Sequence, residues 1–300
     1  MKAFRVSIIL LFIMQFAFPA VSQQTQDLTV TILYDNYKFK DDLQLGWGFS
    51  CLINGTEKTI LFDIASYGVI SNMQSLNIDL KSVDVVVFSH PHSDHTDGAL
   101  LFWYENKNIL VYIPESWPVS VKDVIKKSVA SCIETREPLE ICKNVYLTED
   151  MATGLWGSGT IFGVFVSGEA REQALAIDTT EGLVVVTGCA HPGIVNIVKR
   201  VKEITKKDKV FLLLGGLHLL DKSEQQIKDI ISQLKNEKVE RVSPTHCTGD
   251  LAISLFKEEY KENYVPAGVG NKINVKNAFL LTPVDPKNKL ALKWALIKTE

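Results

Sequence analysis

VDVVVFSHPHSDHTDG, residues 83–98, joins a short apolar run to a cluster of ligand-type side chains. Val83, Val85, Val86, Val87 and Phe88 are β-branched or aromatic and too few for a helix, which fits a strand covered on both faces. His90, His92, Asp94 and His95 follow at once, at the strand's carboxyl end, where open α/β sheets place their chemistry. Imidazole nitrogens and a carboxylate are ligands that zinc, iron and manganese accept. Alternate positions of an extended loop point two imidazoles the same way. His90 and His92 can then share one ion while Asp94 and His95 turn toward a second. A lone histidine is more often packed or solvated than ligating. Here three of the chain's 6 histidines fall within one short segment around Asp94, and the metal reading is the stronger one.

The same unit recurs downstream. GLVVVTGCAHPGIVNIVKRVKEI (182–204) reads as a buried strand, a turn and a helix whose Ile194, Val198 and Val201 face the core. Val210–Leu214 is a strand that enters GGLHLL. Ser223–Lys235 follows as a helix with Ile227, Ile230, Ile231 and Leu234 on one face, and Ser223 with Gln226 suits a capping box. Val239–Ser243 enters PTHCTGD. Each of these strands ends in a histidine: His191, His218 and His246. Aligned strand ends would gather all the histidines at one edge. Taken alone, His218, after two glycines and between leucines, reads as a structural residue.

Upstream, Leu28–Tyr34 alternates as a half-buried strand. Trp47–Ile53 and Thr59–Phe62 read as a hairpin around Asn54-Gly55. Asp63 closes it, either as a turn residue or as a carboxylate that holds a ligating imidazole. Ser71–Leu80 carries Met73, Leu76 and Leu80 at helical spacing. A helix is expected from Ala99 to Tyr104 and strands at Leu110–Ile113, Val145–Thr148 and Thr160–Val166. Residues 115–144, of mixed charge, are expected to form a lid or an insertion beside the site. GLWGSG (154–159) reads as a tight turn, with Trp156 lining a pocket or capping the core. Leu290–Ile297 alternates as a last strand or an oligomer contact.

The 300 residues suit one large domain, and 32 basic against 35 acidic side chains give a net charge of −3, no electrostatic footprint for nucleic acid. A small or neutral partner is expected. Residues 1–22 have the pattern of a secretory signal peptide: Lys2 and Arg5, an apolar stretch from Val6 to Phe18, then Ala20 and Ser22 before Gln23. That reading leaves 23–300 as a single domain, exported to the periplasm or secreted, with no integral membrane segment after cleavage. The 5 cysteines are an odd number, so at least one thiol stays unpaired or meets a metal. Cys132 and Cys142 could close a loop in an oxidising compartment.

HPHSDHTDG resembles the His-x-His-x-Asp-His signature of the metallo-β-lactamase fold superfamily. Together with LGWGFS (45–50), LFDIASYG (61–68), EQALAI (172–177), VVVTGCAHPGIVNI (184–197), LLLGGLHLL (212–220) and THCTGD (245–250), it resembles one branch, named for the dihydropterin-linked ribofuranosylaminobenzene phosphate synthases. The resemblance implies an α/β fold, a four-layer αβ/βα sandwich with a dinuclear metal site at one sheet edge. Carried over residue by residue, it gives His90, His92 and His191 to the first ion and Asp94, His95 and His246 to the second. The ions implied are two divalent metals, zinc first, with manganese and iron as alternatives. In LFDIASYG, Ile64 and Ala65 replace the family's Thr and Gly, and Asp63 takes the part of holding a ligand. Cys189 is a ligand or a bystander, and His218 a contact for substrate or a phosphate-like group.

Two such cations, about 3.5–4 Å apart, acidify a water and stabilise the oxyanion formed as it attacks a carbonyl or phosphoryl centre. Asp94 would orient that nucleophile or pass its proton on. The implied activity is that of a metal-dependent hydrolase acting on an ester, phosphoester or lactone-like small molecule. An iron-dependent redox enzyme and a non-catalytic metal-binding protein are the alternatives; redox relatives usually carry Glu where His92 stands. β-Lactam hydrolysis is narrower still, since no histidine lies between the main motif and the strand at 184–187. The synthase's substrate is expected inside cells while residues 1–22 point outward, so fold and site transfer but the named reaction does not.

Overall fold

Val85 and Val87 face one hydrophobic core and Val86 another, as a strand with both faces covered requires. The computed structural model describes residues 25–153, 156–169 and 171–280, and Thr25–Phe279 form one compact unit. A first sheet runs β1 (Thr25–Tyr34), β2 (Ser50–Asn54), β3 (Ile60–Phe62), β4 (Val85–Val87), β5 (Leu110–Pro114) and β6 (Ser131–Thr135). It is antiparallel from β1 to β3 and parallel from β3 to β6. The second sheet runs β7 (Leu139–Cys142), β8 (Val145–Leu147), β11 (Leu175–Thr179), β12 (Gly182–Thr187), β13 (Val210–Gly216) and β14 (Val239–Thr245), with β12 to β14 parallel. Between β8 and β11 the chain forms a separate hairpin of β9 (Trp156–Ile161) and β10 (Val164–Glu169). β15 (Lys272–Leu280) joins the first sheet beside β1.

Side-chain alternation sorts the strands' residues into layers. Val30, Ile32, Phe62, Val85 and Val87 meet Val184, Val186, Leu212 and Leu214 between the sheets. Leu61, Val86 and Val111 face outward and are covered by α1 (Tyr67–Ser75), α3 (Ala99–Glu105) and α4 (Val119–Ser128) through Val69, Met73, Trp103, Val121 and Ile125. On the other side Val185 and Leu213 meet α5 (Ile194–Thr205), α6 (Glu224–Asn236) and α7 (Asp250–Tyr260) through Val198, Val201, Ile227, Ile231 and Phe256. Each such side chain contributes about 1.5–3 kcal/mol by leaving water. The result is the αβ/βα sandwich. A single helical turn, α2 (Ser93–Thr96), stands at the end of β4. None of the described helices is long and apolar enough to cross a membrane.

Several expectations need correction. The helix expected at Ser71–Leu80 begins at Tyr67, where Ser66 Oγ accepts from Gly68 N at 3.0 Å, and ends at Ser75, before Asn77 turns left-handed at φ 55°. Leu80 opens a separate 3-10 turn. Residues 115–144 are built mainly as regular sandwich elements rather than as a lid or insertion: they supply α4, β6 and β7, two of these being edge strands, while Ser116, Trp117 and Pro118 at their start do lie beside the site. Cys132 and Cys142 lie on those two edges, in different sheets, and both thiols are free. The strand expected at Thr160–Val166 is a hairpin turning at Phe162 and Gly163, and GLWGSG is no turn, since Trp156–Gly159 already belong to β9. The Ser223 capping box is present. Residues 1–22, the side chain of Trp156 and the 290–297 segment lie outside the described residues.

Candidate metal centre

β4 delivers Phe88, Ser89 and His90, all fully buried, to the sheet edge. His92 is still extended and caps α2, which turns Asp94 and His95 back over the strand end. His95 N donates to His92 O at 3.0 Å, Thr96 Oγ1 to the same carbonyl at 3.1 Å, and Ile64 N to His95 O at 2.9 Å. Gly48, at φ 141°, passes against this turn so closely that a Cβ would stand 2.5 Å from Asp94 O. That approach accounts for the second glycine of LGWGFS.

Each imidazole is oriented by what its outer nitrogen meets. Ser89 Oγ donates to Asp63 Oδ2 at 2.7 Å, so it accepts from His90 Nδ1 at 2.8 Å. His95 Nδ1 donates to Asp63 Oδ2 at 2.7 Å, and His191 Nδ1 to Glu172 Oε2 at 2.8 Å. His246 Nδ1 donates to Asn36 Oδ1 at 3.2 Å. These four contacts assign the Nδ1 proton and leave four bare Nε2 lone pairs pointing inward. His92 is reversed, with Nδ1 at 3.0 Å from His90 Nε2.

Two donor sets result. The ligand atoms of His90, His92 and His191 lie within 4.8 Å of one another, and so do those of Asp94, His95 and His246. His246 Nε2 is 3.3 Å from Asp94 Oδ2 and is buried without a hydrogen-bond partner. Two imidazole nitrogens facing each other and an orphaned third are what a cation would satisfy, so these residues fit the divalent ions the sequence implies. Burial, then the neighbouring His95 and His191, hold His90 well below its usual value, and His92 is lowered to about 4 by burial and His191. His95 is raised to about 9 against burial by Asp63, which favours positive charge on that ring whether carried by a proton or a cation. Against burial, the neighbouring His246 and His95 rings hold the Asp94 carboxyl well below the usual carboxylate range.

The family model described as the Metallo-beta-lactamase superfamily matches residues 48–246, a span that opens at Gly48 and closes on His246. The chain belongs to the metallo-β-lactamase superfamily. It is 33% identical over 252 residues, 72% of this chain and 86% of the other, to the 7,8-dihydropterin-6-methyl-4-(β-D-ribofuranosyl)-aminobenzene-5'-phosphate synthase of Methanocaldococcus jannaschii. A solved metal-dependent hydrolase of the β-lactamase superfamily superposes with a TM-score of 0.69 at 27% identity, covering 83% of this chain and 99% of that one. The metallo-β-lactamase fold protein YhfI of Bacillus subtilis gives 0.56 at 14% identity, over 83% and 100%.

Beside this superfamily site lies a cavity of about 350 Å³, lined by His92, Asp94, Ser116, Trp117, Ile161 and Glu169. The hairpin of β9 and β10 forms its outer wall. Cys189 Sγ stands 3.2 Å from His95 Nε2, next to both donor sets. His218 is elsewhere: its ring packs 4.4 Å from that of His191, and it lines a second cavity. Glu172 escaped the sequence reading. It is fully buried and accepts from the backbone of Cys189, Ala190 and His191 as well as from the His191 ring, and that ring's hydrogen bond lowers it, against burial, to about 2. Asn36, Ser89 and Cys247 were missed as well. The backbone is bent to the same purpose: Asp63, Ala190, His218 and His246 all have left-handed φ, between 50° and 61°, each costing on the order of 1 kcal/mol.

Proposed function

We propose that the protein is an exported, dinuclear metal-dependent hydrolase of a small ester, phosphoester or lactone. The observation that carries the reading is the pair of donor sets with their lone pairs directed inward, opening on a cavity of about 350 Å³. His90, His92 and His191 would hold one divalent ion and Asp94, His95 and His246 the other, zinc before manganese or iron. Bound there, such ions supply Lewis-acid charge and a water that ionises near neutral pH. The chain's own residues do the rest. Asp94 lines the cavity and remains ionised, so its carboxylate can orient an attacking water and carry its proton toward the leaving group. Trp117 and Ile161 present an apolar wall for the body of the substrate. Trp47, 54% exposed with its ring 4.8 Å from His246, offers a further stacking surface beside that ligand.

The M. jannaschii relative is named a synthase, which favours group transfer as a second reading. Metal content by mass spectrometry, followed by turnover of an ester and phosphoester panel in ¹⁸O-labelled water, separates the two: hydrolysis places the label in product and transfer does not. Asp94→Ala is expected to cut turnover by about 10²-fold or more. An Asp94→Ala protein that keeps both ions and full turnover would sink the assignment. Export rests on residues 1–22, and amino-terminal sequencing of the mature protein, expected to begin at Gln23, tests it.

A further inference from the structure

We infer that Cys189, Cys247 and His218 form a third cation site, for a thiophilic divalent ion such as zinc, outside the two donor sets described above. Their ligand atoms lie within 4.8 Å of one another. They come from the carboxyl ends of β12, β13 and β14, three parallel neighbours whose following loops must meet. Leu219 N donates to Cys247 O at 3.2 Å and Leu217 N to Thr248 Oγ1 at 3.1 Å, so the loop carrying His218 is stitched on both sides to the loop carrying Cys247. His218 is held left-handed at φ 50°, and its ring rests against His191.

Gly216 packs directly against the cluster: a Cβ there would stand 2.4 Å from Gly188 O, 2.7 Å from Cys247 Sγ and 3.3 Å from Cys189 Cα, so the neighbouring backbone and the Cys247 thiol together require the glycine. Cysteines that only fill a core need no imidazole held beside them on a left-handed backbone. Zinc takes sulfur at about 2.3 Å and imidazole nitrogen at about 2.0–2.1 Å in tetrahedral array, which sets ligand atoms roughly 3.5–4 Å apart, inside the sphere these three already share. Two thiolates and one imidazole form a soft set, unlike the imidazole-rich and carboxylate-containing sets next to it, so the cluster selects by ligand softness. Three protein ligands leave one position open. Of the three ligands His218 alone lines a cavity, of about 390 Å³ and shared with His191, Gly193, Asp221 and Lys222, while Cys189 and Cys247 are buried.

The test is cobalt. The full chain, stripped of metal under reducing conditions, is reconstituted with Co²⁺, and bound cobalt is counted while the near-ultraviolet thiolate-to-cobalt charge-transfer band is recorded. Cys247→Ser and His218→Gln are each expected to bind about one cobalt fewer than the unmodified chain. Cys247→Ser should also lose most of the band. The double variant His90→Ala, His92→Ala should lose cobalt and keep the band, which separates this site from the failure or success of the dinuclear one. The inference is overturned by absence of the band in the unmodified chain. It is equally overturned if both variants retain full band and full count, because the signal would then come from Cys189 ligating within the main centre. Circular dichroism melts accompany each variant. Should Cys247→Ser fail to fold, His218→Gln decides, its ring being only half-buried.

Discussion

Glu172 shows how a single buried carboxylate can govern a ligand it never shares an ion with. It takes the His191 ring proton and three backbone N–H groups, so removing its charge frees His191 to rotate and deprives its lone pair of basicity. Glu172→Gln is expected to weaken binding at the His90, His92 and His191 set by about 10–100-fold, measured by competition with a chromogenic chelator, and to leave the Asp94 set near its original affinity. Equal weakening at both sets would mean that the change acts on the fold instead. Asp35 carries the opposite kind of burden. It accepts from Tyr37 N at 3.3 Å and from Thr245 Oγ1, but burial outweighs both and pushes its carboxyl up to about 6. A carboxyl that holds its proton more tightly folded than unfolded stabilises the fold fully below the unfolded value near 3.8, and that contribution is lost as pH rises through about 6. The loss is on the order of 3 kcal/mol. Urea melts of metal-free protein from pH 4 to 6.5 should show the unmodified chain losing ground to Asp35→Asn by about that amount. A constant gap between the two would place the carboxyl's titration elsewhere.

At the scale of elements, the centre depends on how closely the ends of β4 and β12 approach. Gly188, just past β12, faces the β4 end so tightly that a Cβ would stand 2.1 Å from Ser89 Oγ and 3.2 Å from Asp63 Oδ2. Gly188→Ala must displace the hydroxyl that orients His90. Overpacking of this kind costs about 1–3 kcal/mol, and thermal melts with metal titration should show lower stability together with weaker binding. Gly163, at the β9–β10 turn with nothing within 4 Å of a Cβ, is the control: strain at its φ of 78° should stay local and leave metal affinity alone. An unchanged Gly188→Ala would mean that the two strand ends relax independently. Elements of this sort explain what the sequence made legible. β4, β12 and β13 are largely apolar runs, β14 a shorter pattern around Val239 and Val242, and each is followed within a few residues by a histidine, so pattern and ligand lie close together. α5 and α6 announce themselves by their 3.6-residue period. The end of α1 was misplaced because Leu76 and Leu80 keep the helical spacing past Ser75, whereas Asn77 turns the backbone away. The β9–β10 hairpin hid because its turn is Phe162-Gly163 rather than the glycine-rich stretch before it. Glu172 opens the noted stretch EQALAI but carried no sign of its role, because its contact with His191, 19 residues on, arises only when β11 and β12 pair; Asn36 lies 210 residues from His246, and only the meeting of the two sheets creates that contact.

For the whole molecule, the division of ligands between the sheets matters more than their number. His90 and His92 follow β4 of the first sheet while His191 follows β12 of the second; Asp94 and His95 belong to the first sheet's edge while His246 follows β14. Each donor set therefore spans the sandwich, and an ion held by either ties the two sheets together at the edge where the inner core ends. The unfolded chain offers no such preassembled set, so binding free energy adds to folding free energy. A site occupied at about 100 times its dissociation constant adds about 2.7 kcal/mol. For a chain of this size that corresponds to roughly 4–5 °C of melting temperature per site. Chelation should lower the melting temperature by about that amount for each site it empties, and His90→Ala, His92→Ala should already have lost one increment and respond correspondingly less to chelator. Hydrogen exchange should place the loosening at the loops after β4, β12 and β14 and leave the strand centres protected, because the interior between the sheets is held by Val85, Val87, Val184, Val186, Leu212 and Leu214 without help from any ion. A melting temperature indifferent to chelator would mean that the ligand sets close on no ion at all. Uniform exchange throughout both sheets would mean that the ions hold up the fold as a whole and the edge merely with it.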